Sequence, residues 1–305
     1  MSTRSYRYLH LDVFTDTVFE GNQLAVFPEP AGLTTAEMQT IAREMNFSES
    51  TFVLPPETPG TDVRMRIFTP AEELPMAGHP VIGSTFALVK EHVIAPGREA
   101  FVFGLGVGPT PVSLAWTGSA LDFAWMTQKN PEVRGRVAAR DAFAAAIGVE
   151  VGDLADAPPE VISCGVPFLI AALKTRRAVD AVTLDVRAYT AVLRGSQIDS
   201  MPLFVFTTDR TGATGDEGAY SRMLAPGFGI SEDPATGSAS GPLGCYLHAH
   251  RLIDRARLSH VVSLQGAKML RPSRLHISID ANGDTITRVR VGGRSVLVGQ
   301  GTLTF

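Results

Sequence analysis

Short runs rich in β-branched and aromatic residues, set apart by Gly, Pro and Asp, recur along most of the chain. "YRYLHLDVF" (6–14), "LAVF" (24–27), "STFVL" (50–54), "VRMRIF" (63–68), "AFVFGL" (100–105) and "PVSLAW" (111–116) form one set. "EVISC" (160–164), "PFLIAAL" (167–173), "PLFVFTT" (202–208), "HVVSLQG" (260–266), "LHISI" (275–279) and "TRVRVGG" (287–293) form a second. Runs of this kind predict strands. Two such sets predict two β-rich domains, an N-terminal one over 1–120 and a C-terminal one over 121–294, with the last strand, about 295–305, returning to the first. Few helices interrupt them. "TTAEMQTIAREMNF" opens on a capping box, Thr34 with Glu37, and sets Met38, Ile41, Ala42 and Met45 on one face, which is a core-packing stripe. Two more helices are expected to begin at Pro80 and Pro234. "VIGSTFALV" and "GPLGCYLHA" are apolar all round, so both should be buried.

The regions around those two helices repeat each other. "RIFTPAEELPMAGHPVIGSTFAL" (66–88) and "RMLAPGFGISEDPATGSASGPLGCYL" (222–247) each run Arg, apolar pair, small residue, Pro. Each continues through an acidic loop and a second Pro into a Gly-led apolar helix. With three residues added to the second loop, Gly78 aligns with Gly237, His79 with Ser238 and Leu88 with Leu247. The expectation is a duplication, each copy a curved sheet around one helix.

"EDPATGSASGPLG" (232–244) carries candidate chemistry. Asp233 suits an N-cap and Pro234 the first helical position. The small residues that follow have two readings. They permit close packing, or they leave the helix's N–H groups bare for an anion. Two related helix starts facing one cleft between the domains would suit a carboxylate or a developing enolate-like charge.

Composition narrows the field. Of 305 residues, 45% are hydrophobic and 19% charged, enough for a sizeable core and against disorder. A net charge of −4 with mixed signs argues against nucleic acid as a partner. No run of about 18 apolar residues occurs, and "MSTRSYRYLHLDVF" lacks a signal-type stretch, so a cytoplasmic protein without membrane contact is expected. Cys164 and Cys245 form no CxxC pair, and His248 and His250 lack carboxylate partners at ligand spacing, so no metal is expected. Neither GxGxxG at a helix opening nor a P-loop is present.

"VFTDTVFEGNQLAVF" (13–27), "AREMNFSESTFV" (42–53), "RIFTPAEELPMAGHPVIGS" (66–84), "GVPFLI" (165–170), "APGFGISEDPATGSASG" (225–241) and "QGAKMLRPSRL" (265–275) resemble, in order and over nearly the whole chain, the PhzF-like phenazine-biosynthesis family. The resemblance implies an α+β fold of diaminopimelate epimerase type: two pseudo-symmetric domains, each a β-barrel around a central α-helix. It also implies an isomerase. The family's characterised member converts trans-2,3-dihydro-3-hydroxyanthranilate without a cofactor, as a homodimer. By motif, the catalytic residues fall on Glu49, His79 and Asp233, and the groups that hold a small carboxylate substrate on Gly78, Gly237 and Ser238. Ser50 stands where Thr is commoner, and "GNQL" where "GNPA" is common.

Each residue also has a plainer role. Glu49 could be solvated or paired with a neighbouring base; as acid/base it must sit partly desolvated. His79 could bond its own backbone or serve as a donor or second proton carrier. Asp233 could be only a cap, or could also orient a ligand or His79. Asn22 reads as a turn residue, with a ligand contact as the alternative, Cys245 reads as packing, and Cys164 has no assigned role. Ser163 and Ser238 lack a visible base for a hydrolase triad. Two competing functions are a two-thiol epimerase or racemase, disfavoured because neither helix start carries Cys, and a non-catalytic small-acid-binding protein.

Overall fold

The computed structural model describes residues 3–213, 215–228 and 230–305. In chain order the elements up to residue 128 are β1 (Ser5–Val13), β2 (Asn22–Phe27), α1 (Thr35–Met45), β3 (Glu49–Leu54), β4 (Val63–Phe68), β5 (Glu73–Leu74), α2 (Gly78–Lys90), β6 (Ala100–Leu105), β7 (Gly108–Thr117) and β8 (Ala120–Gln128). There follow β9 (Glu132–Arg136), α3 (Arg140–Ala146), β10 (Glu160–Ser163), β11 (Pro167–Ala172), α4 (Arg176–Ala181), α5 (Val186–Gly195), β12 (Leu203–Thr207), β13 (Ala219–Ala225), β14 (Ile230–Asp233), α6 (Gly237–Ala249), β15 (Val261–Gln265), β16 (Ser273–Asn282), β17 (Thr285–Gly293) and β18 (Ser295–Thr304). Residues up to Thr127 together with Val291–Phe305 form one compact unit, and Gln128–Arg290 form another. The fold is α+β. Among the described residues no helix is long and apolar enough to cross a membrane.

In the first unit β1 pairs antiparallel with β2 and with β18, β2 runs parallel to β3, and β3 pairs antiparallel with β4. β4 then pairs antiparallel with β5 and parallel with β6, and β6 antiparallel with β7. The second unit repeats this scheme step for step. β10 pairs antiparallel with β11 and β9, β11 runs parallel to β12, and β12 pairs antiparallel with β13. β13 pairs antiparallel with β14 and parallel with β15, and β15 antiparallel with β16. A 13-residue helix follows the short strand in each: α2 after β5, α6 after β14.

β2, β3, β11 and β12 are buried on both faces, and the two-residue period decides which side chain meets which helix. In β11 and β12, Leu169, Ala171, Leu203 and Val205 pack towards α3, α4 and α5. Their neighbours Phe168, Ile170, Phe204 and Phe206 pack with Ala239, Leu243 and Tyr246 of α6. In β2, Ala25 and Phe27 join Met38 and Ile41 of α1. Leu24, one residue before Ala25 and so on the opposite face, meets α2 at Gly83, where a Cβ would lie 2.6 Å from Leu24 and Val13 methyl carbons. α1 keeps its capping box and its stripe, with Met38, Ile41 and Ala42 buried.

Register makes the repeat residue-specific. With Arg66 set against Arg222, Ile67 lies opposite Leu74 as Met223 lies opposite Asp233, so Leu74 and Asp233 are equivalent. Phe103 lies opposite Val63 as Ser263 lies opposite Ala219, which makes Leu105 and Gln265 equivalent. Both arginines hold the matching glutamate through two nitrogens: Arg66 with Glu73 at 2.7 and 2.6 Å, Arg222 with Glu232 at 2.9 and 2.8 Å.

Candidate active site

The first unit brings Asn22, Glu49 and His79 together. Gly21 turns the chain into β2 with φ 66°, and a Cβ there would stand 2.4 Å from the Val13 carbonyl oxygen. That turn buries Asn22 at the head of β2. Glu49 opens β3, and Thr51, two residues on and therefore on the same face, shares a 3.0 Å hydrogen bond with Ser84 of α2. This buried contact sets the strand that carries Glu49 against the helix that carries His79.

His79 is the second residue of α2 and is 2% exposed; Glu49 is 9% exposed. The His79 Nδ1 atom lies 3.2 Å from the Asn22 amide nitrogen and 3.3 Å from Glu49 Oε2. Burial lowers the His79 pKa to about 3, while a hydrogen bond to the Gln23 backbone pulls the other way. Although 3.3 Å is ion-pair distance, the imidazole is thus neutral at ordinary pH, and the contact is a neutral ring beside a carboxyl group. The other ring nitrogen, Nε2, is buried and has no protein partner among the described residues. α2 starts at Gly78, two residues before the expected Pro80, because Pro80 lacks only an N–H that no helix uses in its first turn. Its N-cap, Ala77, supplies no side-chain cap, so the first N–H groups have no side-chain acceptor there.

The second unit corrects the reading of Asp233 as an N-cap. α6 starts at Gly237, not Pro234, and its N-cap is Thr236. Asp233 instead ends β14, buried, and its Oδ2 accepts a 2.6 Å hydrogen bond from Thr236 Oγ1. The intervening Pro234 and Ala235 lie outside the helix, as Pro75 and Met76 do in the first unit, and Gln265 of β15 bonds the backbone on either side of them. Its Nε2 donates to Asp233 O at 2.8 Å and its Oε1 accepts from Thr236 N at 3.1 Å. Thr236 gives α6 no side-chain cap, so this helix start is uncapped as well. Gly237 is buried, Ser238 half-buried, and the Gly237 carbonyl accepts from Gln128 Nε2 at 2.9 Å.

Sequence reasoning missed Asn22, read as a turn residue, along with Thr236 and Gln265. The acidic Asp233 and the Gly-led helix starts had a local signal, whereas a glutamine 29 residues downstream of Thr236 had none. Cys164 and Cys245 are buried with sulfurs 3.8 Å apart, and neither lies at a helix start. Among the described residues no group of three or more His, Cys, Asp or Glu could hold a metal.

The family model for phenazine biosynthesis-like proteins, PhzC-PhzF, matches residues 11–301. An uncharacterized isomerase of Mesorhizobium japonicum is 35% identical, covering 99% of both chains. The trans-2,3-dihydro-3-hydroxyanthranilate isomerase of Pseudomonas fluorescens is 34% identical over 98% of this chain and 100% of its own. In fold the chain is similar to the crystal structure of a Bacillus anthracis phenazine biosynthesis protein of the PhzF family. The TM-score is 0.85 at 24% identity, covering 98% of this chain and 99% of that one.

Proposed function

The chain belongs to the PhzC-PhzF family of phenazine biosynthesis-like proteins and is an isomerase, and from that premise we propose that it shifts a proton between two carbons of a small carboxylated ring or amino-acid-like substrate using its own side chains alone. The observation that carries the reading is the Glu49 carboxyl 3.3 Å from a buried, neutral His79. A partly desolvated carboxylate can take a proton from one carbon and return it to another. Neutral His79 adds no charge to be neutralised, and its Nε2 is left for a substrate oxygen or amine. The uncapped N–H groups at Gly78 and at Gly237 and Ser238 suit the substrate carboxylate, with Asp233 orienting the substrate.

The finer architecture belongs to the same proposal: two barrels, each closed around its helix, in a homodimer that works in the cytoplasm. Burial of ten of the thirteen residues of α2 and eleven of the thirteen of α6 supports the barrels. Two-thiol epimerisation is the weaker reading, because the helix starts carry Gly78-His79 and Gly237-Ser238 while both cysteines are buried elsewhere.

Glu49→Gln tests the assignment, with the dihydro-hydroxyanthranilate that the Pseudomonas relative isomerises as first probe, then other small carboxylates. General acid–base catalysis contributes about 10²- to 10⁴-fold, so turnover should fall by at least that order. Affinity by calorimetry should change little, since backbone N–H groups elsewhere hold the carboxylate. Ser238→Ala should weaken binding more than turnover. If Glu49→Gln exchanges the carbon-bound hydrogen of substrate in deuterated water at the wild-type rate, another group is the base.

A further inference from the structure

We propose that Thr236 and Gln265 are positioning residues that hold Asp233 with one chosen oxygen as hydrogen-bond acceptor, an inference that rests on Asp233 belonging to the substrate site. Gln265 is fully buried, and its amide can be placed only one way round. The Thr236 N–H can only donate, so it fixes Oε1; the Asp233 carbonyl can only accept, so it fixes Nε2. Nε2 also donates to Thr236 Oγ1 at 2.9 Å. With that oxygen already accepting, the hydroxyl's own proton goes to Asp233 Oδ2 at 2.6 Å. The relay favours the ionised carboxylate and assigns Oδ2 to the protein.

The first unit is the internal control. Leu74, Ala77 and Leu105 occupy the positions of Asp233, Thr236 and Gln265. The surrounding backbone is nevertheless built alike. A Cβ on Gly106 would meet Pro75 Cα at 2.9 Å, and one on Gly266 would meet Pro234 O at 2.5 Å and Cα at 3.1 Å. Both copies launch a 13-residue helix from the same place. Three apolar residues therefore suffice to build this corner. Where the corner carries an acid, it carries the hydroxyl and amide too, and their role is to set the acid.

The test is a ¹³C NMR titration of aspartate-labelled protein, with the Asp233 carboxyl resonance assigned from Asp233→Asn. Removing a donor to the ionised form raises a carboxyl pKa, so Thr236→Val should move the midpoint up by about one unit. Thr236→Ser, which keeps the hydroxyl, should restore the wild-type midpoint, and Gln265→Leu should shift it in the same direction as Thr236→Val. An unmoved midpoint in folded Thr236→Val overturns the proposal. So does failure of Thr236→Ala and Gln265→Leu to fold, because the first unit's apolar corner says they should. A second readout separates the underlying site assignment: the acid limb of the turnover pH profile should move with the NMR midpoint. A moved midpoint with an unmoved profile keeps the positioning role and removes Asp233 from the substrate site.

Discussion

Replacing His79 by Gln makes the buried imidazole measurable as a dependence of stability on pH. An unfolded chain protonates the histidine near 6.5, whereas the folded protein resists protonation down to about 3. Below the unfolded value the unfolded state therefore binds the extra proton, and stability is lost as pH falls from about 6.5 towards 3. Between pH 7 and pH 5 the difference in proton uptake amounts to about 1.4 pK units, or about 2 kcal/mol. Wild type should lose that amount relative to His79→Gln, whatever the substitution costs at pH 7. Other groups titrate in both proteins, and a neutral ring leaves their charges almost undisturbed, so their contributions cancel in the difference. Urea unfolding followed by Trp116 and Trp125 fluorescence at the two pH values gives the double difference. The His79 ring resonances in an NMR titration should not move between pH 8 and 5. A destabilisation by His79→Gln that is the same at pH 7 and pH 5, or a ring titrating near 6.5, would refute the neutral imidazole and with it the character of the Glu49 contact.

Three further outcomes follow from packing. Gly83→Ala gains helix propensity, but its methyl would meet Leu24 and Val13, both fully buried, at 2.6 Å; overpacking costs about 1–3 kcal/mol, so a net loss in melting temperature is expected. Arg222→Met should cost about 3–5 kcal/mol by chemical denaturation, because it strands Glu232 and the Val179, Asp180 and Val182 carbonyls; Arg66→Met, at the equivalent but more exposed pair, should cost about 1 kcal/mol or less. Cys164→Ser with Cys245→Ser should lower stability by about 1–3 kcal/mol per buried hydroxyl while leaving turnover nearly intact; a loss of turnover without a loss of folding would revive thiol chemistry.

Where apolar residues run together or alternate strictly with polar ones, the chain declares its strands. Val63–Phe68 and Ala100–Leu105 form over the residues expected. β13 was invisible by the same logic: "AYSRMLA" carries Ser221 and Arg222 in its middle, and they are buried only because Ser263 and Glu232 answer them from other strands. α5 had a readable signal, the Asp185 cap with Tyr189 and Leu193 four residues apart. Gly78 and Gly237 were placed as equivalents by sequence, and both prove to be first residues of their helices. Asp233 had the wrong structural role because Asp before Pro is a local cap signal, whereas the pairing with Met223 that makes it the end of β14 comes from another strand. Asn22 was undervalued for a similar reason: its partner, His79, lies 57 residues away.

The repeat copies the scaffold and leaves Glu49 without a counterpart. Leu24 faces α2 as Phe168 faces α6, and Leu169 draws a hydrogen bond from its own N–H to the Pro202 carbonyl, which sets Pro202 where the first unit has Glu49. Ser238 likewise stands for His79. A duplicated framework with one carboxylate base has a handedness that a framework with two matched bases lacks. Two opposed bases remove a proton from one side of a carbon and deliver another to the far side, inverting the centre with solvent hydrogen. Under the proposed assignment, with Glu49 carrying the proton and Asp233 orienting the substrate, collection and delivery fall on the same side, so the proposed shift is suprafacial and the hydrogen returned can be the very one removed. Stereospecifically deuterated substrate should then keep part of its label in the product, on the face from which it left.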